Sequence, residues 1–510
     1  MMKRKYTTKH RYAIKHILDR EINSNMDETG KKRITSQVNI TSGQFLRMVF
    51  TIALPVALQN LLTNTGSMVD TMMIGSIGET YVGAVGLCAQ FSSLMLSCYW
   101  GLLGGGILFF SQYWGAKDEA GMTRSYGMML VSMLTVGLIF GGLAVFAPAW
   151  VMSVYTDKVI YQEIGIQYLR IVGLAYPLQV FSTAMCGLLR STERVRIPLI
   201  ASIVSVCSNI FLNWVFIFGH LGAPAFGVRG AAMATVSAAC INVAVILALC
   251  ALRGFPYIFR VKAHFAWTRQ SLGEFAKKCF PIICNELAIG ISNLIINMVL
   301  GRQATEAIAA LAVFRTIEGM VIAFFSGFSS ASSVLVGNRV GAGEHEEAHW
   351  IANRCVYLCA GTILVVCLGI VAVHTPLLHL MGLRNASFDY ATQMLVVYCV
   401  IAVLRMSNWI SNDTCRASGD AITGTCMEIA FMYLLNIPML CLAGLYWHAP
   451  FLLVFMCSYM DEPIRFVLMQ FHMHSGGWVR PVTENGRTAL PEFRRRHPLR
   501  LFWTKMGLKE

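Results

Sequence analysis

The sequence predicts an all-α integral membrane protein, with twelve transmembrane helices in two pseudo-symmetric six-helix lobes around a central cavity. Three observations predict it. Residues of the AVILMFWYC set make up 56% of the 510 positions and charged residues only 13%, about half the roughly 25% of an average soluble chain. Twelve apolar segments have the ~20 residues that a bilayer core about 30 Å thick requires. The two halves of the chain also match each other at one constant offset.

In the first half the apolar segments run over 50–74, 84–113, 126–152, 168–189, 197–218 and 228–252; in the second, over 275–300, 307–336, 350–374, 394–412, 421–445 and 451–473. An even number of crossings puts both termini on one side. The leading stretch, 1–44, carries Lys3-Arg4-Lys5 and Lys31-Lys32-Arg33; the trailing stretch, 474–510, carries Arg494-Arg495-Arg496. The central linker, 253–272, holds Arg253, Arg260, Lys262 and Arg269, whereas the loop at 75–83 has no basic residue. Positive charge marks the cytoplasmic face, so both termini and the linker are expected there, in a multi-pass protein of the cytoplasmic (inner) cell membrane. The domains expected are thus a basic tail (1–44), an N-lobe (45–252), a linker (253–272), a C-lobe (273–473) and a second basic tail (474–510). In that tail, 493–508 fits either a helix lying on an anionic leaflet or a disordered end.

The 41 Lys and Arg exceed the 27 Asp and Glu, for a net charge of +14. That excess sits in tails and short loops, which argues for a membrane and against nucleic acid as partner. Most of the sixteen Cys lie inside apolar segments, where Cys behaves as a small hydrophobe, and no Cys-x-x-Cys pair suggests a zinc or redox site. No secretory signal is read: the first apolar run starts far from Met1 and is too long for a signal-peptide core.

The repeat offset is 226 residues. It carries Pro55 onto Pro281, Gly75 onto Gly301, Gly101 onto Gly327, Gly115-Ala116 onto Gly341-Ala342, and Arg190 onto Arg416. A duplicated unit with an even number of helices inserts twice in the same orientation. The axis relating the copies then lies along the membrane normal, with a cavity between lobes where transporters hold solutes.

Departures from the repeat point to function. The equivalent of Asp70 is Ile296, so this carboxylate belongs to the first lobe alone, and an ionisable group within a span is costly enough to suggest a role. It lies about 28 Å of helical rise beyond Thr51, towards the outer side. Asn209 and Asn213 share one face of the fifth segment, and Thr235 lies at similar depth on the sixth. Carboxylate, amide and hydroxyl oxygens suit a small hard cation such as Na+; the same set suits a proton on Asp70, and both remain open. In the second lobe Glu286 replaces Asn60, Arg405 replaces Gln179 and Glu428 replaces Ser202. Buried opposite charges should pair, so Arg405 is expected to bond Glu286, Glu428 or both.

The run Leu54-Pro55 … Met68-Val69-Asp70-Thr71-Met72-Met73-Ile74-Gly75 resembles the first helix of multidrug and toxic compound extrusion (MATE) transporters. So do Leu189-Arg190 … Pro198 … Asn209-Ile210 … Leu212-Asn213, Gly222-Ala223-Pro224 … Gly227-Val228-Arg229-Gly230 … Thr235, and Gln112-Tyr113-Trp114-Gly115-Ala116 with its echo Asn338-Arg339-Val340-Gly341-Ala342. The Asn285-Glu286, Arg405 and Glu428 pattern resembles a bacterial branch of the family in which those positions are acidic, basic and acidic. The resemblance spans about 45–478. It implies export of cationic, lipophilic organic compounds in exchange for Na+ or H+, with Asp70, Asn209, Asn213 and Thr235 at the family's cation-coupling positions. It also implies a monomer among membrane lipids, with no cofactor beyond the coupling ion. Two departures stand out. Many members carry a glutamate eight residues after the seventh-helix proline, where this chain has Ile289 and instead Glu286 five after; Arg405 lies nearest a tenth-helix aspartate of one branch.

The nearest alternative is a lipid or glycan-lipid flippase of the same broad fold, with Arg405 facing headgroups. A more distant one is a membrane-embedded enzyme, for which His345-Glu346-Glu347-Ala348-His349 offers an HExxH match. Its repeat counterpart, 119–123, has no such ligands, and a solvated charged loop accounts for it better.

Overall fold

The computed structural model describes residues 40–497. The basic stretch through Asn39, and the tail from Pro498 with its apolar 499–508, lie outside the described residues. Apart from one isolated bridge between Gly419 and Val479, every regular element described is helical. Short connecting helices such as Pro148–Tyr155 and His374–Leu380 aside, the first half comprises α1 (Ser42–Gly75), α2 (Glu79–Gly115), α3 (Glu119–Phe146), α4 (Val159–Val172), α5 (Ala175–Ser191), α6 (Arg196–Phe218) and α7 (Val228–Leu252). The second comprises α8 (Arg269–Leu300), α9 (Thr305–Ala342), α10 (His345–Ala372), α11 (Asn385–Ala417), α12 (Ala421–Tyr446), α13 (Phe451–Cys457), α14 (Asp461–Ser475) and α15 (Glu484–Arg496).

Among the described residues ten helices are long and apolar enough to cross a membrane, and α4 with α5, bent by 50°, makes an eleventh. The bend follows from the sequence Gly173-Leu174-Ala175-Tyr176-Pro177, because Pro177 has no N–H for the carbonyl of Gly173. The fourth crossing thus starts at Val159, ahead of the apolar segment expected from 168. The twelfth segment is split between α13 and α14. Asp461 and Glu462 open α14, where the positive end of the helix dipole favours carboxylates. In α12, π-type turns at Met432–Asn436 and Leu442–Tyr446 flank Pro438; such turns cluster at functional sites.

The repeat is visible in backbone geometry. Lys117 and Gly343, 226 apart, both turn left-handed after α2 and α9, with φ of 60° and 88°. Glu193 and Gly419, again 226 apart, do the same after α5 and α11 with φ of 60° and 100°. Contacts between halves are paired in the same way. A Cβ on Gly115 would strike the Asn338 carbonyl, and one on Gly341 would strike the Gln112 carbonyl; 112 and 338 are themselves equivalent. Further along, Gly101 lies against the backbone of Ile283, and its equivalent Gly327 against that of Ala57. Asn60 of α1 donates to Ser326 of α9 at 2.5 Å.

The segment after α14 fastens this crossing. The Val482 N–H donates to Gln112 Oε1 at 2.7 Å, and the Thr483 hydroxyl to the Gly341 carbonyl at 2.8 Å. Trp478 is fully buried, and Phe493 of α15 packs against His345, His349 and His497. Phe493 is therefore buried in protein rather than lying on lipid.

Candidate functional site

In the first lobe, Gly66 on α1 leaves room for Val206 of α6, 3.0 Å from where a Cβ would stand. That close approach brings α6 alongside α1 one turn before Asp70. Asn213, fully buried, donates its amide to Asp70 Oδ1 at 2.6 Å and lies 3.3 Å from Asn209 Oδ1. The structure thus brings together Asp70, Asn213 and Asn209. Thr235 sends its hydroxyl proton to the Ala231 carbonyl of its own helix at 3.0 Å, so its hydrogen bond stays within α7. Asn213 Oδ1 is buried without a hydrogen-bond partner. A free acceptor beside a carboxylate, with hydroxyl and amide oxygens near, is an oxygen donor set for a small hard cation.

In the second lobe the structure corrects the expected pairing. Arg405 (α11) pairs with Glu318 of α9 and lies 3.9 Å from Glu462 of α14. The guanidinium facing Glu286 and Glu428 is that of Arg416, at 3.1 and 3.6 Å, with Asp413 at 3.5 Å. Depth along α11 suggested Arg405; Arg416 lies three turns further along, where α8 and α12 converge on it. Glu428 also binds Arg465 at 3.2 Å and accepts from Asn285 and Asn412 at 2.9 and 2.8 Å. Glu318 is 3% exposed and accepts from Arg315 at 2.6 Å and from the Tyr459 hydroxyl at 2.9 Å. The equivalent arginine of the first lobe, Arg190, donates instead to neutral Gln59 at 2.8 Å.

Sequence reasoning missed Arg315, Glu318, Asp413, Asp461, Glu462 and Arg465. Signals existed for five of them. Arg315, Glu318, Asp461, Glu462 and Arg465 sit inside predicted apolar segments, opposite Ala89, Ser92, Thr235, Val236 and Ala239 in the repeat.

The histidines of the HExxH match are tied to neighbouring backbone. His345 donates from Nε2 to the Gly486 carbonyl at 2.9 Å and His349 to that of Met473 at 3.2 Å. A carbonyl only accepts, so it is Nε2 that carries the hydrogen in each ring. Among the described residues no cluster of three His, Cys, Asp or Glu could hold a metal.

Two repeated helix bundles meeting face to face, each with a polar core, define a membrane transporter. A family model described as MatE matches this chain twice, over 55–215 and 281–442, starting at the two equivalent prolines. The chain belongs to the MATE family of transporters, whose members are not enzymes. It is 21% identical over 439 residues to the uncharacterized transporter YisQ of Bacillus subtilis, covering 84% of this chain and 94% of that protein. It is 23% identical to the probable multidrug resistance protein YoeA of the same organism, covering 75% and 84%. A crystal structure of a MATE protein in complex with MaL6 superimposes with a TM-score of 0.76 at 17% identity, covering 86% of this chain and all of that one.

Proposed function

We propose that this protein is a secondary antiporter that exports organic, cationic and lipophilic compounds in exchange for Na+ or H+ by alternating access. It would act as a monomer in the cytoplasmic membrane with both termini cytoplasmic. The observation that carries the reading is Asp70 bonded by Asn213, whose own buried carbonyl oxygen is unpartnered. A cation at Asp70 and Asn213 Oδ1 removes a charge and a bare acceptor from low dielectric together, a difference by which an ion can select one lobe arrangement. The described contacts between halves fasten the end of the bundle bearing Gly115 and Gly341, which under this topology is the cytoplasmic end. The multidrug name of YoeA supports an export role. A flippase would present Arg405 to lipid headgroups, whereas here it pairs with Glu318 and lines a cavity within the second lobe.

The test is purified protein in liposomes, with efflux of a cationic dye followed under Na+ and H+ gradients imposed separately. One gradient should drive efflux, and Asp70→Asn should reduce it at least tenfold. Undiminished driven efflux by Asp70→Asn would overturn the assignment.

A further inference from the structure

A cavity of about 290 Å³ lies inside the second lobe, walled by α8, α9, α11, α12 and α14. At ~30 Å³ per water it has room for about ten waters, or for one small organic solute. Its charge is unevenly distributed. At one end Arg315 and Arg405 share the single carboxylate of Glu318, and their side chains stay 33% and 28% exposed. At the other, Arg416 and Arg465 are set among Glu286, Asp413, Glu428 and Asp461. Glu462 stands between the groups, 3.9 Å from Arg405 and 3.8 Å from Arg465. One end has a surplus of positive charge and the other a surplus of negative, with Ile289, Ile322 and Trp409 also in the wall.

A second observation is reach. Glu286 lines the cavity and its side chain stays 25% exposed beside Arg416, so the carboxylate end is open to a ligand. The side-chain oxygens of Asn412 and Asn436 are instead closed off in the wall, that of Asn412 against Gly424.

We infer that this cavity binds an amphoteric organic solute of about amino-acid size, with its ammonium on Glu286 and its carboxylate on Arg315 and Arg405. The inference rests on the export reading and narrows its substrate from a lipophilic cation to a molecule carrying both charges. An ammonium brings three donors to a carboxylate that, among the described residues, is otherwise met only by Arg416. A carboxylate matches the planar fork of a guanidinium. A cation alone leaves the arginine end uncompensated, and an anion alone meets the carboxylate end.

The test uses matched trios on phenyl, indole and quinoline frameworks: an amino acid, the amine lacking its carboxylate, and the acid lacking its amine. Equilibrium binding of each radiolabelled compound to the purified full-length protein is measured beside gradient-driven dye efflux. In at least one trio the amphoteric member should bind tenfold or more tightly than either relative. Arg315→Gln should reduce it to the level of the amine, and Glu286→Gln to the level of the acid. The inference is overturned if nothing in the panel binds, or if the amine binds as well as the amphoteric compound throughout. In that case persisting dye efflux would leave the export reading standing, whereas loss of all driven efflux would remove that reading as well.

Discussion

The shared carboxylate of Glu318 gives a sharp energetic test. Glu318→Gln keeps the shape but removes the charge that Arg315, Arg405 and Tyr459 all approach. Breaking a buried ion pair from one side costs about 3–5 kcal/mol. Here both guanidinium groups are about a third exposed, so solvent screens the abandoned charge and about 3 kcal/mol is expected. The assay is reversible unfolding in mixed micelles, read as a double-mutant cycle of Glu318→Gln and Arg405→Gln. Removing both partners should recover ~1–3 kcal/mol relative to the sum of the single changes. A parallel cycle of Glu286→Gln with Arg405→Gln should be additive within ~0.5 kcal/mol, because Glu286 faces Arg416 instead. Additivity in the first cycle, or strong coupling in the second, would refute the pairing.

Three further outcomes follow from the same geometry. Asp420, in the loop between α11 and α12, is buried, which opposes its charge, but the bond from His472 and the positive charge of Arg480 outweigh burial and hold it below its ordinary value of 3.8. Its contribution to stability is complete above pH 3.8 and lost as pH falls through the lower folded value, so Asp420→Asn should cost ~1–3 kcal/mol at pH 7 and the difference should shrink on acidification below pH 3.8; equal cost at every pH would contradict this. Gly341→Leu should wedge α9 from α2, seen as a several-ångström increase in the spin-label distance between their ends together with lost driven efflux; an unchanged distance would count against the crossing. Phe493→Ala should cost ~3–5 kcal/mol of local packing and expose 484–496 to proteolysis; unaltered cleavage would show that α15 is held by other contacts.

Asp70 and its amides were legible because each signal is local: a carboxylate in an apolar run, an isoleucine at the equivalent site, and two asparagines one turn apart. The charge pairing of the second lobe was not legible in the same way. Periodicity gives depth along a helix but not which neighbour a side chain meets, and Arg416 reads only as a match within the repeat because its equivalent is also arginine. The bend at Pro177 and the split twelfth crossing had signals in Pro177, Asp461 and Glu462, yet a count of apolar length smooths over both. The docking of Phe493 and Trp478 depends on helices more than a hundred residues earlier, and no nearby pattern announces it.

Where Gly115 and Gly341 bring α2 and α9 into contact, main chain meets main chain and no side chain stands between. Under the proposed export cycle, a barrier made of peptide groups is indifferent to the identity of the cargo. Residues lining the interior can therefore be exchanged over generations, altering what is carried, while leakage stays low because the closure draws on different atoms. The same economy sets a limit: nothing larger than hydrogen is tolerated at those two positions, so they should be among the last in the chain to vary.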